Sequence, residues 1–350
     1  GGLWGLALQL NDSQARDRRI HSFPAESVRE ICIDTGAQRV PFQNLRFEVV
    51  GQPETATISV EIIREASGRS IGHAGEALNE INAQASMRDG RLTVTAALPN
   101  PRWWFYHYPS LELLIRVPST FPVSLHSQGK SRNGLLKLRE LSGQVSIDVD
   151  SLGIEMDQVT ASNLEIVTNF GSIEGRNLDI ATCSLRTRLG SIELERVRCG
   201  NGHFETDLGS IDLSRVSGPI SLQTRLGSIE VEEYSGSRLD ARTDSGSIDA
   251  SIDKLDPSGE IRLETRMGSV DLHLPGLLRP NLKLDTKMGH IENAFASVSP
   301  ASDAPRITAV TSMGSIEVSR TEHGDDDDEE PVQAEESAKM KSSDTRSIGN

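Results

Sequence analysis

An acidic side chain recurs at one fixed place in a short phrase that the second half of the chain repeats. The phrase reads Thr-x-x-Gly-Ser-Ile-acid, as in residues 187–193. Its acids are Glu174, Glu193, Asp212, Glu230, Asp249, Asp271, Glu292 and Glu317. A row of carboxylates could bind calcium, which takes oxygen ligands, or supply the acid and base of polysaccharide cleavage. Which chemistry is possible depends on the elements that carry the row.

The glycines and threonines of the phrase are as regular as its acids. A threonine lies three residues before each glycine, and the glycines are Gly171, Gly190, Gly209, Gly227, Gly246, Gly268, Gly289 and Gly314. Between them apolar and polar residues alternate, which is typical of half-buried strands. Repeats of about 20 residues built from strands and glycine corners predict a stack in which no repeat buries its own apolar face. The predicted fold class is all-β, a parallel single-stranded β-solenoid resembling a β-helix, with coils of ~19 residues.

The alternation changes parity at the glycine, and this predicts how each coil turns. Leu189 is expected to face inward before the corner and Ile192 inward after it, so that Gly190 and Ser191 make the bend. Glycine permits backbone angles there that a Cβ would forbid. Each coil then contains a strand, a sharp corner, a second strand and a looser turn, and equivalent residues of successive coils stack about 4.8 Å apart.

Stacking brings the acids together, so their repulsion must be offset. Two unit charges about 5 Å apart repel by about 3 kcal/mol at an effective dielectric of 20. Bound cations could offset this, and so could the column two residues before the glycines, which consists of Asn169, Arg188, Asp207, Arg225, Asp244, Arg266, Lys287 and Ser312. We interpret the acid row as a solvated, internally compensated face rather than a metal site. An active site would break a uniform row locally, so we expect no enzyme and assign no catalytic, cofactor-binding or metal residue.

Two Asp-Thr/Ser-Gly triplets imitate the paired signature of pepsin-like proteases, which need two carboxylates that share a proton. The triplets are residues 34–36 and residues 244–246. The second is one copy of the repeat, and arginine replaces its aspartate at equivalent positions such as Arg188 and Arg225. It therefore marks a surface column, and the protease interpretation is rejected.

The expected organisation has three parts. Residues 1–25 are a leader or linker, 26–319 a solenoid, and 320–350 an acidic tail that is disordered by composition. Within the solenoid, 26–125 would be opening coils and a cap and 126–319 the regular repeats, with Gly134 and Gly153 in degenerate copies of the phrase. The expected early strands span 31–33, 45–50, 56–63, 92–97, 111–117 and 123–126, and 74–86 is either a short helix or a surface excursion. Longer turns at 256–259, 275–280 and 293–306 should line one edge, where repeat proteins usually bind.

Composition excludes some functions and leaves others open. A net charge of −15 argues against nucleic acid as a partner. Cys32, Cys183 and Cys199 indicate no disulfide framework and are interpreted as buried free thiols. The apolar run 3–8 is too short to span a bilayer, but it could end a membrane anchor or signal that precedes residue 1, or be an uninformative leader. The aromatic cluster 103–108 is either a hydrophobic plug or a sugar-binding surface.

Residues 111–118, followed by the Gly-Ser-Ile coils, resemble a broad family of uncharacterised β-solenoid proteins described as "putative adhesins". The likeness covers residues 28–319. The repeat, the lack of catalytic motifs and the apolar start lead to the hypothesis of a non-enzymatic adhesin-like or scaffold solenoid. It would present a repetitive surface to a protein or glycan, and a membrane-tethered or cell-surface location is favoured. The alternative is a carbohydrate-active β-helix enzyme, a polysaccharide lyase or hydrolase, suggested by the acid row and the aromatic cluster. A structural or filament-forming module is a third possibility, and the oligomeric state is open.

Overall fold

The computed structural model describes residues 13–34, 42–53, 55–97, 109–127 and 131–321. These form a 19-stranded sheet that coils on itself, and a separate three-stranded sheet. One continuous core of Ile, Leu, Val and Ala side chains runs through the molecule. The aromatic cluster 103–108, the apolar run 3–8, Thr35 and Gly36 of the first protease-like triplet, and the tail from 322 onward lie outside the described residues.

The first part of the chain contains ten strands and two helical segments. They are β1 (Ser13–Pro24), a 3₁₀ turn (Ala25–Ser27), β2 (Glu30–Asp34), β3 (Phe42–Gln52), β4 (Thr57–Gly68), α1 (Ile71–Glu80), β5 (Asn82–Arg88), β6 (Arg91–Ala97), β7 (Ser110–Pro118), β8 (Val123–Ser127), β9 (Ser131–Arg139) and β10 (Val145–Val149). All six strands expected here from the sequence are present, and β1 and β5 were missed.

The repeating part contains twelve strands. They are β11 (Gly153–Phe170), β12 (Ile173–Leu189), β13 (Ile192–Leu208), β14 (Ile211–Ser217), β15 (Ile220–Leu226), β16 (Ile229–Ser245), β17 (Ile248–Met267), β18 (Val270–Pro275), β19 (Asn281–Met288), β20 (Ile291–Asn293), β21 (Arg306–Met313) and β22 (Ile316–Thr321). All pairings among them are parallel, with isoleucine opposite isoleucine and threonine opposite threonine. The predicted parallel β-solenoid is therefore confirmed.

Each coil has three straight segments, where the sequence predicted two. In the coil 192–208 we call them face A (192–195), face B (197–199) and face C (202–208). Arg196, between faces A and B, has a left-handed backbone with φ 55°. The same conformation recurs at Gln158, Asn177, Arg215 and Glu233. The sequence hid this corner because the residues that occupy it share no type.

The repeated threonine links its own coil to the corner of the neighbouring coil by a hydrogen bond. Thr206 is 1% exposed, and its Oγ1 donates to the carbonyl oxygen of Gly190 in the preceding coil at 2.8 Å. Thr187 does the same to Gly171, and Thr243 to Gly227. Threonine hydroxyls bond the carbonyl oxygens of the corner glycines from Gly171 to Gly268 and that of Gly314. Threonine has the shape of valine, which suits burial, and a hydroxyl, which donates to the carbonyl. The position is therefore threonine in every copy of the phrase.

The degenerate copy of the phrase around Gly153 is shifted by one residue relative to the other corners. Ile154 pairs with Ile173, so Gly153 lies at the serine position and Leu152 at the corner position before Gly171. Gly153 is thus displaced by one residue from the predicted corner. Thr168 Oγ1 accordingly donates to the carbonyl oxygen of Leu152 at 3.2 Å.

The last two coils are stacked in the reverse of their order in the chain. β21 pairs with both β17 and β19, and β22 with both β18 and β20. The coil of Gly314 therefore lies between those of Gly268 and Gly289, whereas the sequence predicted consecutive stacking. The outermost coil has Asn293 where its neighbour has the buried Val318. Because a polar outer face suits the end of a repeat stack, the more apolar coil occupies the inner place.

The N-terminal region is not a run of coils. β4 pairs antiparallel with β1 and with β7, while β3 pairs parallel with β7 and β9. Residues 13–24, expected to be leader, thus form an edge strand of the main sheet. Its charged sequence concealed it, because the acid Asp17 faces the buried Arg64 of β4 rather than solvent alone.

The remaining N-terminal elements form a small layer against this sheet. β6 pairs parallel with β2 and antiparallel with β5. Helix α1 begins after Ser70, whose hydroxyl accepts from the backbone nitrogen of His73 at 3.3 Å. Ala74 and Ala77 are its buried residues, and Gly68 leaves room for the Ala74 nitrogen. The segment 74–86 is therefore the end of a helix followed by β5.

Cys32, Cys183 and Cys199 form no disulfide with one another, and Cys32, which was predicted to be buried, is only partly buried. Cys183 and Cys199 are buried, and a hydrogen bond between their thiols, together with burial, raises the pKa of Cys183 well above its usual value. At neutral pH that thiol is protonated and serves as core packing.

Candidate functional site

The predicted acid column lies on the outer side of face A. The pairing places Glu174 beside Glu193, Glu193 beside Asp212, and Asp212 beside Glu230. It continues through Asp249, Asp271, Glu317 and Glu292, in that spatial order. At its other end Glu155 joins the column and is paired with Lys137 at 2.5 Å.

The column is not compensated in the way the sequence predicted. From Glu174 onward, within the described residues, its one ion pair joins Asp249 to His273 at 3.5 Å. The column two residues before the glycines lies across the corner and pairs within itself, as Arg266 does with Asp244 at 3.5 Å. Face C, by contrast, carries cross-coil pairs such as Arg186 with Glu205 at 2.6 Å. The acid column is thus a concentrated negative stripe.

The repulsion is visible in two pKa values. Burial raises the pKa of Asp212, and its neighbours Glu230 and Glu193 raise it further. Burial likewise raises the pKa of Asp271, with added repulsion from Asp249 and Glu317. Both aspartates are half-buried, whereas Asp249 of the same column is exposed.

A shallow groove of about 460 Å³ lies over the first part of face A. Its walls include Glu193, Asp212 and Glu230 of the acid column, with Glu195 and Glu232 of the next outward column. Glu195 is paired with Arg215 at 2.5 Å and with Arg176 at 3.7 Å. The groove is therefore most negative around Asp212.

Neutralising Asp212 is expected to stabilise the protein at neutral pH. Like charges on neighbouring strands cost about 0.2–1 kcal/mol, so we expect Asp212→Asn to raise the free energy of unfolding by about 0.5 kcal/mol at pH 7 and low salt. A raised pKa in the folded state means that the cost is full above that pKa. The cost disappears as the pH falls below the ordinary value of 3.8, where both states are protonated.

Urea unfolding at pH 7 and at a pH below 3.8 measures this difference. Glu165→Gln is the matched control, because Glu165 is exposed on face C and its neighbours in the ladder are Ser146 and Ser184. Equal effects of the two substitutions at pH 7 would contradict the assigned repulsion.

A second stripe, which the sequence did not predict, lies beside the acid column. It is formed by the residues directly before the corner glycines, which we call the glycine edge: Phe170, Leu189, Leu208, Leu226, Ser245, Met267, Met313 and Met288, in spatial order. Phe170 is 46% exposed, Leu226 48%, Met267 47% and Met288 62%. Leu189, expected inside, is half-exposed.

The exposure of the glycine edge follows from the corner itself. Thr187 is already bonded to the carbonyl of Gly171 and fills the inner side of the bend. Leu189, two residues further, lies beyond the core and has no interior to enter. The signal available in the sequence was an apolar residue before nearly every glycine, which alternation alone assigns to the core.

Other predicted features are placed as follows. Asp244, of the second protease-like triplet, belongs to the surface column and pairs with Arg266. His290 is exposed at the serine position of its corner. The long turns do meet, since Ser258 N donates to the Asp303 carbonyl at 3.1 Å and Ala301 N to the Arg279 carbonyl at 3.4 Å.

Neither a cluster of metal ligands nor a membrane-spanning helix occurs in the described part of the chain. The described residues contain no group of three or more His, Cys, Asp or Glu side chains that could hold a metal ion. In the same parts of the chain, no helix is long and apolar enough to cross a membrane.

The parallel ladders, corner glycines and buried threonines define a repeat protein of the parallel β-solenoid class. The chain belongs to the Toastrack DUF4097 family, whose model matches residues 54–327. This agrees with the resemblance noted from the sequence. Among curated proteins, none matches the sequence.

Solved structures with distant similarity to the chain include the following three. One is a "putative cell adhesion protein" from Clostridium sporogenes, with 10% identity and a TM-score of 0.21, covering 88% of this chain and 100% of that one. The others are "putative adhesins" from Bacteroides fragilis and Parabacteroides distasonis, each 9% identical and covering 87% of this chain and 97% of their own, with TM-scores of 0.30 and 0.28. The fold assignment depends on the strand pairing and the family match.

Proposed function

We propose that the chain is a non-enzymatic, adhesin-like scaffold that holds a macromolecular partner along the glycine edge. The carrying observation is the exposure of this edge over eight coils, because contiguous apolar surface on a soluble protein marks interaction sites. Seven strand spacings of about 4.8 Å make the stripe about 34 Å long. The acid column beside it favours a partner that carries apolar and cationic groups together, on a protein or a glycan-bearing surface.

The construction of the edge supports a role in binding rather than in folding. Its side chains contribute little to the core, since Leu226, Met267 and Met288 keep about half or more of their surface in solvent. The backbone beneath them is held by the glycine and threonine bonds of every coil. A partner therefore meets a preorganised line, which reduces the entropy lost on binding. A display role of this kind is compatible with a cell-surface or membrane-tethered location.

Protein and glycan arrays probed with the wild-type chain test this proposal. We expect Leu208→Lys/Leu226→Lys to weaken binding of any retained ligand at least tenfold, because two charges enter the apolar stripe. Thr182→Lys/Gln223→Lys adds the same charges at exposed positions away from the edge, with Gln223 on face C and Thr182 directly before it, and should change affinity less than about twofold. Equal binding by both double variants would count against the proposal, and so would an absence of ligands on both arrays together with an absence of self-association.

One observation favours a second candidate, polysaccharide cleavage at Asp212. This carboxyl has a raised pKa, lies in the groove, and has Glu193 and Glu230 at the equivalent positions of the two neighbouring strands. Neighbouring strands lie about 4.8 Å apart, close to the roughly 5 Å between the two carboxyl groups of retaining glycosidases. Acidic and neutral polysaccharides incubated with the chain, followed by reducing-end and unsaturated-product assays, decide this. Turnover that Asp212→Ala or Glu230→Ala abolishes would replace the binding proposal.

A further inference from the structure

We propose that the partner of the glycine edge is a second copy of this chain, packed edge to edge with the two solenoid axes parallel and a two-fold axis between them. This rests on the proposed function, namely that the glycine edge binds a macromolecule. It adds the identity of the partner and the geometry of the assembly.

Side chains of three kinds follow one another across the edge. On one side lies the column two residues before the glycines, which carries Arg188, Arg225, Arg266 and Lys287 and only two acids, Asp207 and Asp244. The apolar stripe is in the middle. On the other side lies the acid column, with a carboxylate in every coil from Glu174 to Glu292. The edge is therefore a strip that is cationic, apolar and anionic from one side to the other.

Two-fold symmetry allows two ways of facing such a strip with a copy of itself. If the axis crosses the stripe, the copies run antiparallel, and acid column meets acid column. If the axis is parallel to the stripe, the copies run parallel, and the cationic column of each faces the acid column of the other. Only the parallel arrangement joins unlike charges, so charge complementarity selects it.

The parallel arrangement also fixes which residues meet. Every coil stands at the same height in both copies, so Arg225 faces Glu230 of the second copy, and Arg266 faces its Asp271. Residues on the stripe meet their own counterparts: Leu208 meets Leu208, and Met313 meets Met313. Four acids of the column, Glu193, Glu230, Asp271 and Glu292, would thereby gain basic partners that they lack among the described residues of one chain. Asp212 and Asp249 would face Asp207 and Asp244 of the second copy, so the unlike pairs outnumber the like pairs by four to two.

The size of the strip sets the strength of the dimer. A stripe about 34 Å long and about 17 Å wide, from one charged column to the other, covers about 600 Å² per copy. Stable interfaces bury about 800 Å² per partner, and transient ones less. We therefore expect a reversible dimer with a dissociation constant in the micromolar range.

Sedimentation velocity of the full chain over a range of concentrations tests the dimer. Leu208→Lys/Leu226→Lys should raise its dissociation constant at least tenfold, and Thr182→Lys/Gln223→Lys should leave it unchanged within twofold. Arg225→Glu and Glu230→Arg should each weaken it. Combining the two should restore it, because the swapped charges again face each other across the axis.

Cysteine cross-linking tests the orientation. Leu189→Cys, Ser245→Cys and Met313→Cys, made singly, should each form a disulfide-linked dimer on mild oxidation, with the wild-type chain as control. An antiparallel pair would cross-link at no more than one of these heights. That result would overturn the proposed geometry.

The outcomes separate this inference from the proposed function. A wild-type chain that stays monomeric up to about 100 μM, well above the expected dissociation constant, overturns the dimer. The binding proposal stands in that case if the stripe variant still loses its array ligands. A dimer that the stripe variants do not weaken also overturns the inference. If the same variants leave array binding intact, the proposed function is wrong as well.

Discussion

Replacing Gly246 by alanine is expected to lower the free energy of unfolding by about 3 kcal/mol or more. The backbone of Gly246 has φ 150°, which L-residues rarely adopt, and a Cβ there would lie 2.1 Å from the carbonyl oxygen of Gly227. The obstructing atoms are backbone atoms held by the ladder, so no side chain can move aside. Strained backbone costs about 1–3 kcal/mol, and overpacking adds about as much. Urea unfolding followed by circular dichroism measures the loss.

Gly276→Ala is the matched control. A Cβ at Gly276 would meet nothing nearer than the Thr321 carbonyl oxygen at 3.7 Å. We expect a change of less than about 0.5 kcal/mol there, as for surface substitutions in general. If the two alanine variants unfold at the same urea concentration, the close stacking of the corner carbonyls is wrong.

Replacing Asp17 by asparagine is expected to cost about 2 kcal/mol and to loosen the first strand. The guanidinium of Arg64 is buried, donates to the Asp17 carboxylate and to the Ile81 carbonyl oxygen at 2.7 Å, and keeps its Nε without a partner among the described residues. Removing the charge of the Asp17 carboxylate leaves the buried Arg64 cation without an anionic partner there and with the Ile81 carbonyl as its backbone acceptor. Breaking such a pair is strongly destabilising. Hydrogen exchange of the β1 amides reports the local loss.

The double variant separates the pair from its parts. In an Arg64→Met background the buried cation is gone, so Asp17→Asn should cost little. Additive effects of the two substitutions would show that the contact contributes nothing. The hydrogen bond from Arg64 holds the pKa of Asp17 below its ordinary value of 3.8. The stabilisation is therefore present above that value and is lost as the pH falls through the lower folded pKa.

Glu61, a second carboxyl at the contact between β1 and β4, also depends on arginine partners. Glu61 is buried on β4 and is held by Arg18 at 2.6 Å and by Arg116 at 3.4 Å. The hydrogen bond from Arg18 lowers the pKa of Glu61. Acid should thus release β1 before it unfolds the coils, because the corner bonds of the coils join uncharged groups and their ion pairs, such as Arg186 with Glu205, lie at the surface. The N-terminal edge and the repeating part differ in what holds them together.

The repeating part was predictable because each coil repeats the same local solution. Threonine, glycine and isoleucine recur at fixed offsets, and each offset corresponds to one contact with the coil before it. Thr206 bonds the carbonyl oxygen of Gly190, and Gly209 packs against the backbone of the same glycine. Ile211 pairs with Ile192. A periodic sequence can only satisfy such contacts by stacking in register. The parallel solenoid therefore followed from the pattern alone.

The candidate site was predicted only in half. The acid column was visible as residues, because the repeat marks every member. Its lack of partners was not, because distances across the corner depend on how the chain bends at Gly190 and Arg196. The glycine edge was misassigned to the core, since alternation gives the side of the strand on which a residue such as Leu189 lies but not where the core ends.

The amino-acid sequence by itself determined the coil, its parallel register and the row of acids, because these depend on contacts between equivalent residues one repeat apart. The tertiary structure decided everything that joins non-equivalent residues. It placed the coil of Gly314 between the coils of Gly268 and Gly289. It also made Ser13–Pro24 a strand, held by the ion pair of Asp17 with Arg64, and left Leu226 exposed. Such contacts have no period, and their energies depend on burial and distance, which a single sequence does not contain.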